Sequence, residues 1–425
     1  MTTVRRLIAA LALAGLLATL SAAPAAAVME PPPPSQYVTT KGKAFIAPDG
    51  QPLLLRGINL GNWLMPEGYM FKFKAALSPR RIHGAIDAIL GPVKAGDFWT
   101  AFRDRYITRD DIQFIKAAGF NTVRVPLHYA LFVTGTDPPV FAGPGYALID
   151  RLIAWCREAG LYVLLDLHAA PGGQTGINHD DGPGYPLLFY VPAHQDLTVA
   201  LWRTLAARYR DEPTVLGYDL LNEPIASYHD VAYLNSKLEP LYRRIASAIR
   251  EVDPHHILVF EGAQWGTRFD VFSAPPIDNV AYSYHKFWSA TTREAIQEYL
   301  NFSNLYDVPI LLGESGELTD AWVQAFRLLH ERHGVSWIFW TYKNLDSLST
   351  VASITRPPHW DAVVAAADRR AGAVSGALAG ADLAAALESY LENIKLKNCR
   401  INVGYLDALG LAGPSSAAAT PAARR

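Results

Sequence analysis

Apolar runs of strand length recur along the chain and alternate with helical patterns. Because these runs are continuously apolar, they are typical of parallel strands that are buried on both faces. Strand–helix alternation repeated eight times predicts an α/β fold, the closed (β/α)₈ TIM barrel. The predicted strands are Leu53–Leu60, Phe120–Leu127, Leu161–His168, Val215–Glu223, His256–Gly262, Val280–His285, Val308–Glu314 and Val335–Trp340.

The segments outside the strands predict the loops of this single barrel domain and the residues at which it begins and ends. The segment from Ala44 to Leu53 reads as an N-terminal hairpin with Asp-Gly at its turn. Long loops are expected after strands 1 and 3, at 62–106 and 169–193, and barrel active sites are built from such loops. The catalytic domain is predicted over 40–405, and the last residues, 406–425, are predicted to be a disordered tail.

The N-terminus has the three regions of a secretory signal peptide. Arg5 and Arg6 precede an apolar run from Leu7 to about Leu20, and small residues follow up to Ala27. The run is short for a membrane span, so stable membrane insertion is not expected. We therefore predict a signal peptide at 1–27, a linker at 28–39, and a secreted protein, extracellular or periplasmic.

Charge and cysteine content limit the partners. With 38 Lys and Arg against 40 Asp and Glu, the net charge of −2 supplies no broad attraction for nucleic acid, and a neutral substrate fits it better. The chain has 10 Trp, 20 Tyr and 17 Phe residues, which fit both a packed core and rings that stack on sugars.

Whether Cys156 and Cys399 form a disulfide stays open. No metal, no cofactor and a monomer are expected.

Two glutamates carry the candidate chemistry. Glu223 ends the fourth predicted strand in Asn-Glu-Pro, and Glu314 ends the seventh in Gly-Glu-Ser. Strand ends of a parallel barrel share one rim, so the two carboxyl groups should face each other across its mouth. A retaining glycosidase needs such a pair, one carboxyl to protonate the leaving oxygen and one to attack the anomeric carbon, roughly 5 Å apart.

Other chemically active side chains stand at the same rim. Each alone could be a satisfied core residue, but jointly they suggest an arginine that keeps Glu314 ionised, histidines that orient the pair, and a ring under the sugar. They are Arg124, His168, His285 and Trp340.

With these motifs the chain resembles glycoside hydrolase family 5, which contains cellulases and fungal exo-β-1,3-glucanases. The matching pieces cover nearly the whole mature chain: Leu55-Arg56-Gly57-Ile58-Asn59-Leu60-Gly61-Asn62-Trp63, the Arg124 strand, Asp166-Leu167-His168, Asn222-Glu223-Pro224, His285, Gly313-Glu314 and Trp340. The resemblance implies Glu223 as acid/base, Glu314 as nucleophile and Asn222 on the sugar 2-hydroxyl. It also implies Arg124, His168 and His285 as supporting residues and Trp340 as the platform.

The resemblance also leaves two positions open. The family usually has a His-x-Tyr whose hydroxyl touches the nucleophile, and here that position is Phe287. Either Tyr284 or Tyr282 substitutes for it, or the nucleophile has one hydrogen bond fewer. In the exo-glucanase branch an acidic residue after the first strand binds the terminal sugar. Glu67 is the candidate here, although a solvated loop glutamate fits equally well.

These inferences predict a retaining, cellulase-like hydrolase of a β-linked glucan or oligosaccharide, with polysaccharide degradation as its role. Sugar identity, linkage, and exo or endo action stay open. The alternatives are the same chemistry on mannan, on another hexose or pentose glycan, or on a glycolipid whose lipid would need an apolar groove near Tyr69-Met70-Phe71. Transglycosylation and a non-catalytic carbohydrate-binding protein are further alternatives.

Overall fold

The computed structural model describes residues 36–369 and 380–411. Eight parallel strands form a closed barrel in chain order, and the eighth strand pairs with the first, which confirms the predicted TIM barrel. The strands are β1 (Arg56–Asn59), β2 (Thr122–His128), β3 (Tyr162–Ala169), β4 (Val215–Asp219), β5 (Ile257–Glu261), β6 (Val280–His285), β7 (Ile310–Glu314) and β8 (Ser336–Phe339).

Helices alternate with these strands. They are α1 (Pro79–Leu90), α2 (Pro92–Tyr106), α3 (Arg109–Ala118), α4 (Pro144–Ala159), α5 (Pro192–Tyr209), α6 (Val231–Arg250), the four-residue α7 (Ala263–Gly266), α8 (Gln297–Tyr306), α9 (Asp320–Arg332), α10 (Trp360–Ala367), α11 (Gly380–Asn393) and α12 (Val403–Ala408). Residues at the ends of each helix determine where it begins and ends, as α3 shows. In α3, Asp111 accepts the backbone N–H of Thr108 at 2.8 Å, and Gly119 ends the helix with a φ of 105°.

The connection after β1 differs from the predicted long loop. Helices α1 and α2 occupy most of it, and each begins with a proline, which suits the first helical turn. Their apolar faces are buried, including Ile82, Ile86 and Phe102. The connection after β3 is a long loop as predicted, broken by the short 3₁₀ turns Asn178–Asp180 and Leu187–Phe189.

Short strands complete the fold. The predicted hairpin is part of an antiparallel sheet of Thr39–Lys41, Ala44–Ile46 and Pro52–Leu53. Its Phe45 packs with Val38 and with barrel-interior residues such as Leu164 and Leu216. Two smaller sheets pair Gly135–Thr136 with Pro139–Val140, and Lys343–Leu345 with Ala352–Ile354 and Arg400–Ile401.

The ordered region extends beyond the predicted domain end. Residues 406–411, predicted to belong to a disordered tail, lie in or directly after α12, which packs against α9. Leu406, Leu409 and Leu411 are buried, and this apolar contact orders the segment. The predicted signal peptide, the linker up to 35 and residues 412–425 lie outside the described residues.

Two further predictions concern membranes and cysteines. In 36–369 and 380–411, no helix is both long enough and apolar enough to cross a bilayer. Cys156 and Cys399 are free thiols, and Cys156 is buried in the core. Burial raises the pKa of the Cys399 thiol to about 11.

Candidate active site

Arg124 on β2 lies at the centre of the barrel mouth and is completely buried. Its guanidinium hydrogen-bonds Asp219 at 2.9 Å, Asn59 at 3.0 Å, Glu314 at 2.5 Å and Asn222 at 2.9 Å, and it lies 3.2 Å from Asp166 and 3.5 Å from Glu261. A buried cation needs paired anions, so these contacts explain how an arginine is tolerated inside an apolar barrel. The guanidinium in turn fixes the positions of side chains from several strands.

Glu314 ends β7 and is 5 % exposed. Its Oε1 accepts the 2.5 Å hydrogen bond from Arg124, while Oε2 lies 3.7 Å from Nδ1 of His285. Burial raises the pKa of the Glu314 carboxyl to about 7, against the opposing effect of His285 and Arg124. Oε2 is therefore the oxygen left available to a reacting atom. The preceding Gly313 gives β7 room at this point, because a Cβ there would lie 2.2 Å from Oγ of Ser283.

Glu223 follows β4 and faces Glu314. Its backbone is in the left-handed region, with a φ of 45°, and its N–H donates to Oε2 of Glu261. One carboxylate oxygen lies 2.8 Å from Nδ1 of His285, and the other lies 3.3 Å from Nε2 of His179. Burial raises the pKa of this carboxyl to about 7, with the negative charge of Glu314 adding to the shift and His285 opposing it.

Glu261 at the end of β5 supports both Glu223 and His285. Besides accepting the Glu223 N–H, its other oxygen lies 2.7 Å from Nε2 of His285. Burial raises the pKa of Glu261 to about 8, with Arg124 opposing the shift. His285 therefore lies between two carboxyl groups, and its ring is held in one orientation facing Glu223.

The distance between the two candidate carboxylates is short. One oxygen of Glu223, one oxygen of Glu314 and a ring nitrogen of His285 all lie within 4.8 Å of one another. Such a trio could also hold a metal ion. However, the positive Arg124 bound directly to Glu314 disfavours a second cation there.

A chain of hydrogen bonds sets the protonation of His168. Arg124 donates to Oδ1 of Asn222, so the Asn222 NH₂ group faces Nε2 of His168 at 3.3 Å. Nε2 must then accept, and the ring proton lies on Nδ1, 2.8 Å from Asp166. Burial lowers the pKa of His168 and keeps its ring neutral. The ring stacks against Trp340 at 5.8 Å and 17°, which holds that indole at one wall of the mouth.

The loop after β3 is anchored from within. Gln174 donates to the backbone carbonyls of His168 and Asn222 at 2.7 and 2.8 Å. Asp180 is buried and accepts three backbone N–H groups of the same loop, at 2.7–2.8 Å. Asp180 is thus an internal anchor of the loop. These contacts place His179 beside Glu223, and burial lowers the pKa of His179 to about 3.

Side chains near β1, β7 and β8 line one side of the mouth. Nε1 of Trp340 donates a 2.6 Å hydrogen bond to the hydroxyl of Tyr69, and Tyr69 also bonds Glu317. Glu67 lies beside them with Oε1 buried and without a hydrogen-bond partner. Burial raises the pKa of Glu67 well above its usual range, and Glu314 and Glu317 add to this. A neutral carboxyl therefore faces the cavity.

The cavity enclosed by these groups has a volume of about 630 Å³. Its other side is formed by aromatic residues from the loops after β5 and β6, namely Trp265, Phe287 and Trp288. The lining combines carboxyl groups, histidines and several rings. This composition fits a neutral, hydroxyl-rich ligand that needs apolar faces for stacking and polar groups for orientation.

The structure brings together all of the predicted site residues except Tyr284. Arg124 and Asn222 contact the lining residues Glu314 and His168 from behind. The others line the cavity: Glu67, His168, Glu223, His285, Glu314 and Trp340.

The placement of Tyr284 in the site was wrong. Side chains alternate along a strand, so His285 points inward and Tyr284 points outward, where it stacks on Tyr299 at 3.8 Å. Tyr282 points outward as well and packs against Phe302. No tyrosine among the described residues replaces the hydroxyl expected near Glu314, and Phe287 lines the cavity instead.

Several site residues were not predicted. Three acids inside apolar strands were the available signal, because an acid there is costly unless it is paired. They are Asp166, Asp219 and Glu261. The others lie in the connections between barrel strands, without a distinguishing pattern: Tyr69, His179, Trp265, Trp288 and Glu317.

Known proteins are similar to this chain in sequence. Residues 90–346 match the model of the family described as cellulase (glycosyl hydrolase family 5). A beta-xylosidase of Phanerodontia chrysosporium is 32 % identical over 254 residues, which are 59 % of this chain and 52 % of the relative. A probable glucan 1,3-beta-glucosidase A of Aspergillus fumigatus is 33 % identical over 204 residues, 47 % of this chain and 48 % of the relative. The chain thus spans about half the length of these two relatives.

Solved structures share the fold. The crystal structure of rutinosidase from Aspergillus niger superposes with a TM-score of 0.56 at 17 % identity, covering 69 % of this chain and 90 % of that one. At this level of identity the likeness concerns the barrel architecture alone.

Proposed function

This chain belongs to the cellulase family, glycosyl hydrolase family 5, and on that premise we propose that it is a retaining β-glycosidase that hydrolyses a β-linked glucan or oligosaccharide. The observation that carries the proposal is the approach of carboxylate oxygens of Glu223 and Glu314 to within 4.8 Å. Retaining enzymes hold their carboxyl groups about 5–5.5 Å apart, whereas inverting enzymes leave about 6.5–9.5 Å for a water molecule. The short separation favours double displacement.

The contacts of the two carboxyl groups assign their roles. The two carboxyl groups lie close together, and burial raises the pKa of both to about 7, so at neutral pH they share a proton. Arg124 is bound to Glu314 and stabilises its charge, whereas among the described residues the carboxyl group of Glu223 contacts histidines and pairs with no arginine or lysine. The proton therefore resides on Glu223. Glu314 is the nucleophile and Glu223 is the acid.

In the first step, Oε2 of Glu314 attacks the anomeric carbon while Glu223 transfers its proton to the glycosidic oxygen. The bond from the anomeric carbon to that oxygen breaks, and the leaving group departs as an alcohol. The sugar remains as an ester on Glu314. His285 at 2.8 Å from Glu223 orients the acid during this transfer.

In the second step, Glu223 acts as base. Esterification removes the negative charge of Glu314, which had contributed to the raised pKa of Glu223. Glu223 takes a proton from water, the water oxygen attacks the anomeric carbon, and the ester bond breaks. Glu314 returns as a carboxylate and Glu223 is protonated again. Two inversions leave the sugar in its original β configuration.

The remaining groups bind the sugar. Trp340, held by His168 and Tyr69, provides a ring face, and the NH₂ group of Asn222 in turn positions His168. Glu67 supplies a buried, unpartnered oxygen to a sugar hydroxyl. We also propose that the protein acts outside the cytoplasm as a monomer, with a catalytic domain that begins near residue 40 and includes α12.

A pentose substrate is the second candidate, because a relative named as a beta-xylosidase matches 254 residues of this chain. The glycolipid alternative has less support. Met70 and Phe71 are fully buried in the core, so the expected apolar groove beside Tyr69 does not form.

The test is to incubate purified protein with β-glucan, xylan, mannan, galactan and glycolipid, and to record the first-formed anomer by ¹H NMR. We expect β-anomer release from glucan, no release by Glu314→Ala, and full release by the surface control Glu251→Ala. Azide added to Glu314→Ala should give an α-glycosyl azide, because azide then attacks from the nucleophile's side. A first-formed α-anomer from the unmodified protein would overturn the retaining mechanism, and no release from any substrate would overturn the hydrolase.

A further inference from the structure

A histidine of the loop after β3 contacts the acid Glu223. Nε2 of His179 lies 3.3 Å from Oε2 of Glu223, and this nitrogen is buried with no other hydrogen-bond partner among the described residues. A buried polar atom without a partner costs free energy, and the mechanism described so far does not use this one. The contact with Glu223 is the interaction that accounts for the place of the imidazole.

The loop is fixed directly after His179. Asp180 accepts backbone N–H groups of the loop itself. Asp181 accepts the backbone N–H of Arg80 on α1 at 3.0 Å, and its other carboxylate oxygen lies 3.2 Å from Nε2 of His128 on β2. These contacts attach the loop to two neighbouring elements, so the imidazole is in position before a substrate binds.

Titratable groups from several elements face Glu223. Two of them lie within hydrogen-bonding distance of its carboxyl group, His285 at Oε1 and His179 at Oε2. The full set consists of His179 after β3, Glu261 on β5, His285 on β6, Glu314 on β7 and Glu67 after β1. The protonation of His285 therefore decides which oxygen of Glu223 carries the acidic proton.

The contacts of His285 locate that proton. Burial raises the pKa of Glu261 to about 8, so this carboxyl group is protonated at neutral pH. Its Oε2 accepts the N–H of Glu223, so its proton lies on Oε1, 2.7 Å from Nε2 of His285. The ring proton of His285 is then on Nδ1, which donates to Oε1 of Glu223 at 2.8 Å. The acidic proton of Glu223 is therefore on Oε2, the oxygen beside His179.

The ring of His179 is neutral and able to accept this proton in a hydrogen bond. Burial lowers the pKa of His179 to about 3, and the nearby His168 and His285 act in the same direction. A neutral imidazole has one nitrogen with a free lone pair, and Nε2 is the nitrogen beside Glu223. A cationic group at this place would instead favour the carboxylate form of Glu223 and weaken the acid.

From these contacts we infer that His179 positions the acidic proton of Glu223, because its neutral Nε2 accepts a hydrogen bond from Oε2–H until the glycosidic oxygen replaces it as acceptor. The proton then passes from Oε2 to the glycosidic oxygen, and His179 neither gains nor loses one. His179 is thus a positioning residue that acts through Glu223. The inference rests on the proposed function, and it adds a loop residue that extends the pH range in which the acid stays protonated.

The test uses the disaccharide that the unmodified protein hydrolyses fastest, which needs the acid, and the dinitrophenyl glycoside of the same sugar, which does not. His179→Phe keeps a ring but removes the acceptor. The alkaline limb of kcat/KM for the disaccharide should then move to lower pH by about one unit, the effect of losing one hydrogen bond to the protonated carboxyl group. At neutral pH, kcat/KM for the dinitrophenyl glycoside should be unchanged.

Two further variants and a control complete the test. His179→Gln, whose amide oxygen accepts a hydrogen bond, should restore most of the limb, and His179→Leu should reproduce the shift if His179→Phe does not fold. The matched control is His83→Phe on α1. The ring of His83 stacks on Trp99, and burial lowers its pKa to about 4, so it is also a neutral histidine. This control should leave the limb in place.

The outcomes separate the inference from the proposed function. An alkaline limb that stays in place without the acceptor, or equal losses on both glycosides, overturns the inference. A limb that moves to higher pH also overturns it, because His179 would then donate to the carboxylate. Hydrolysis of neither glycoside of any sugar by the unmodified protein overturns the proposed function itself.

Discussion

Arg124 donates a 2.5 Å hydrogen bond to Oε1 of Glu314, and this buried contact joins the stability of the barrel to its chemistry. The same guanidinium also contacts Asp166, Asp219 and Glu261, so removing it would leave buried carboxylates without a cation.

Arg124→Lys should destabilise the protein markedly. A lysine keeps the charge but cannot direct hydrogen bonds along the several directions of a guanidinium. Leaving buried charges incompletely paired costs about 3–5 kcal/mol, and the melting temperature from circular dichroism should fall accordingly. The control is Arg157→Lys, whose pair with Glu212 is at the surface, and it should cost less than about 1 kcal/mol. Equal melting temperatures for the two variants would contradict the proposed role of Arg124.

Activity should follow a bell-shaped pH profile centred near neutrality. The mechanism needs Glu314 ionised and Glu223 protonated, and burial raises the pKa of both to about 7. Lowering the pH protonates Glu314, and raising it deprotonates Glu223. The measurement is kcat/KM for an oligosaccharide between pH 4 and 10. With an activated dinitrophenyl glucoside, which needs no acid, Glu223→Ala should lose the alkaline limb, and persistence of that limb would exclude Glu223 as the acid.

Stability should fall as the pH rises from about 5 to 8. In the folded state burial raises the pKa of Glu261 to about 8 and that of Glu314 to about 7, from an ordinary value of 4.5. Between these values the folded protein binds protons that the unfolded chain has released, so raising the pH favours unfolding. Each pKa unit corresponds to about 1.4 kcal/mol. Urea unfolding should show a lower midpoint at pH 8.5 than at pH 5.5, and Glu261→Gln should reduce that difference. A midpoint that rises with pH would contradict the shifts.

Glu67 should act through a neutral hydrogen bond. Because burial raises its pKa well above the usual range, glutamine resembles its protonated carboxyl closely. We expect Glu67→Gln to keep kcat/KM within about ten-fold, whereas Glu67→Leu leaves a sugar hydroxyl unpaired and should lose about 10- to 100-fold. Initial rates on a disaccharide test this. Equal rates for Glu67→Leu and the unmodified protein would show that Glu67 lines the cavity without hydrogen-bonding the sugar.

Asp180→Ala should loosen the loop after β3. Three backbone N–H groups, of Thr175, Gly176 and Gly182, lose their acceptor, at about 1–3 kcal/mol each if they stay buried. His179 would then lose its position beside Glu223. Hydrogen exchange in residues 175–182 should increase and kcat should fall, while exchange in β7 stays slow. Unchanged exchange in the loop would show that Asp180 is not its anchor.

The barrel and the two glutamates were predictable because both depend on local patterns. Each strand is an apolar run that ends at the rim, and Glu223 and Glu314 end two such runs. The register of side chains was harder to predict. In Tyr282-Ser283-Tyr284-His285 both faces carry aromatic or polar residues, so the sequence alone did not show that the tyrosines face the helices.

Other misses have a different physical origin. The buried acids Asp166, Asp219 and Glu261 are explained by their contacts with Arg124. These contacts join strands that are distant in the sequence. The end of the domain was placed too early, because the composition after Leu406 resembles a tail whereas α12 is ordered by its packing on α9. Tertiary contacts decided both cases.

The carboxylates around Arg124 come from both halves of the barrel. Asp166 and Asp219 lie on β3 and β4, whereas Glu261 and Glu314 lie on β5 and β7. A fragment ending after β4 would therefore hold the arginine with only part of its counter-charge. Cutting this protein into two separately expressed half-barrels should give pieces that are insoluble alone and that recover structure only when mixed.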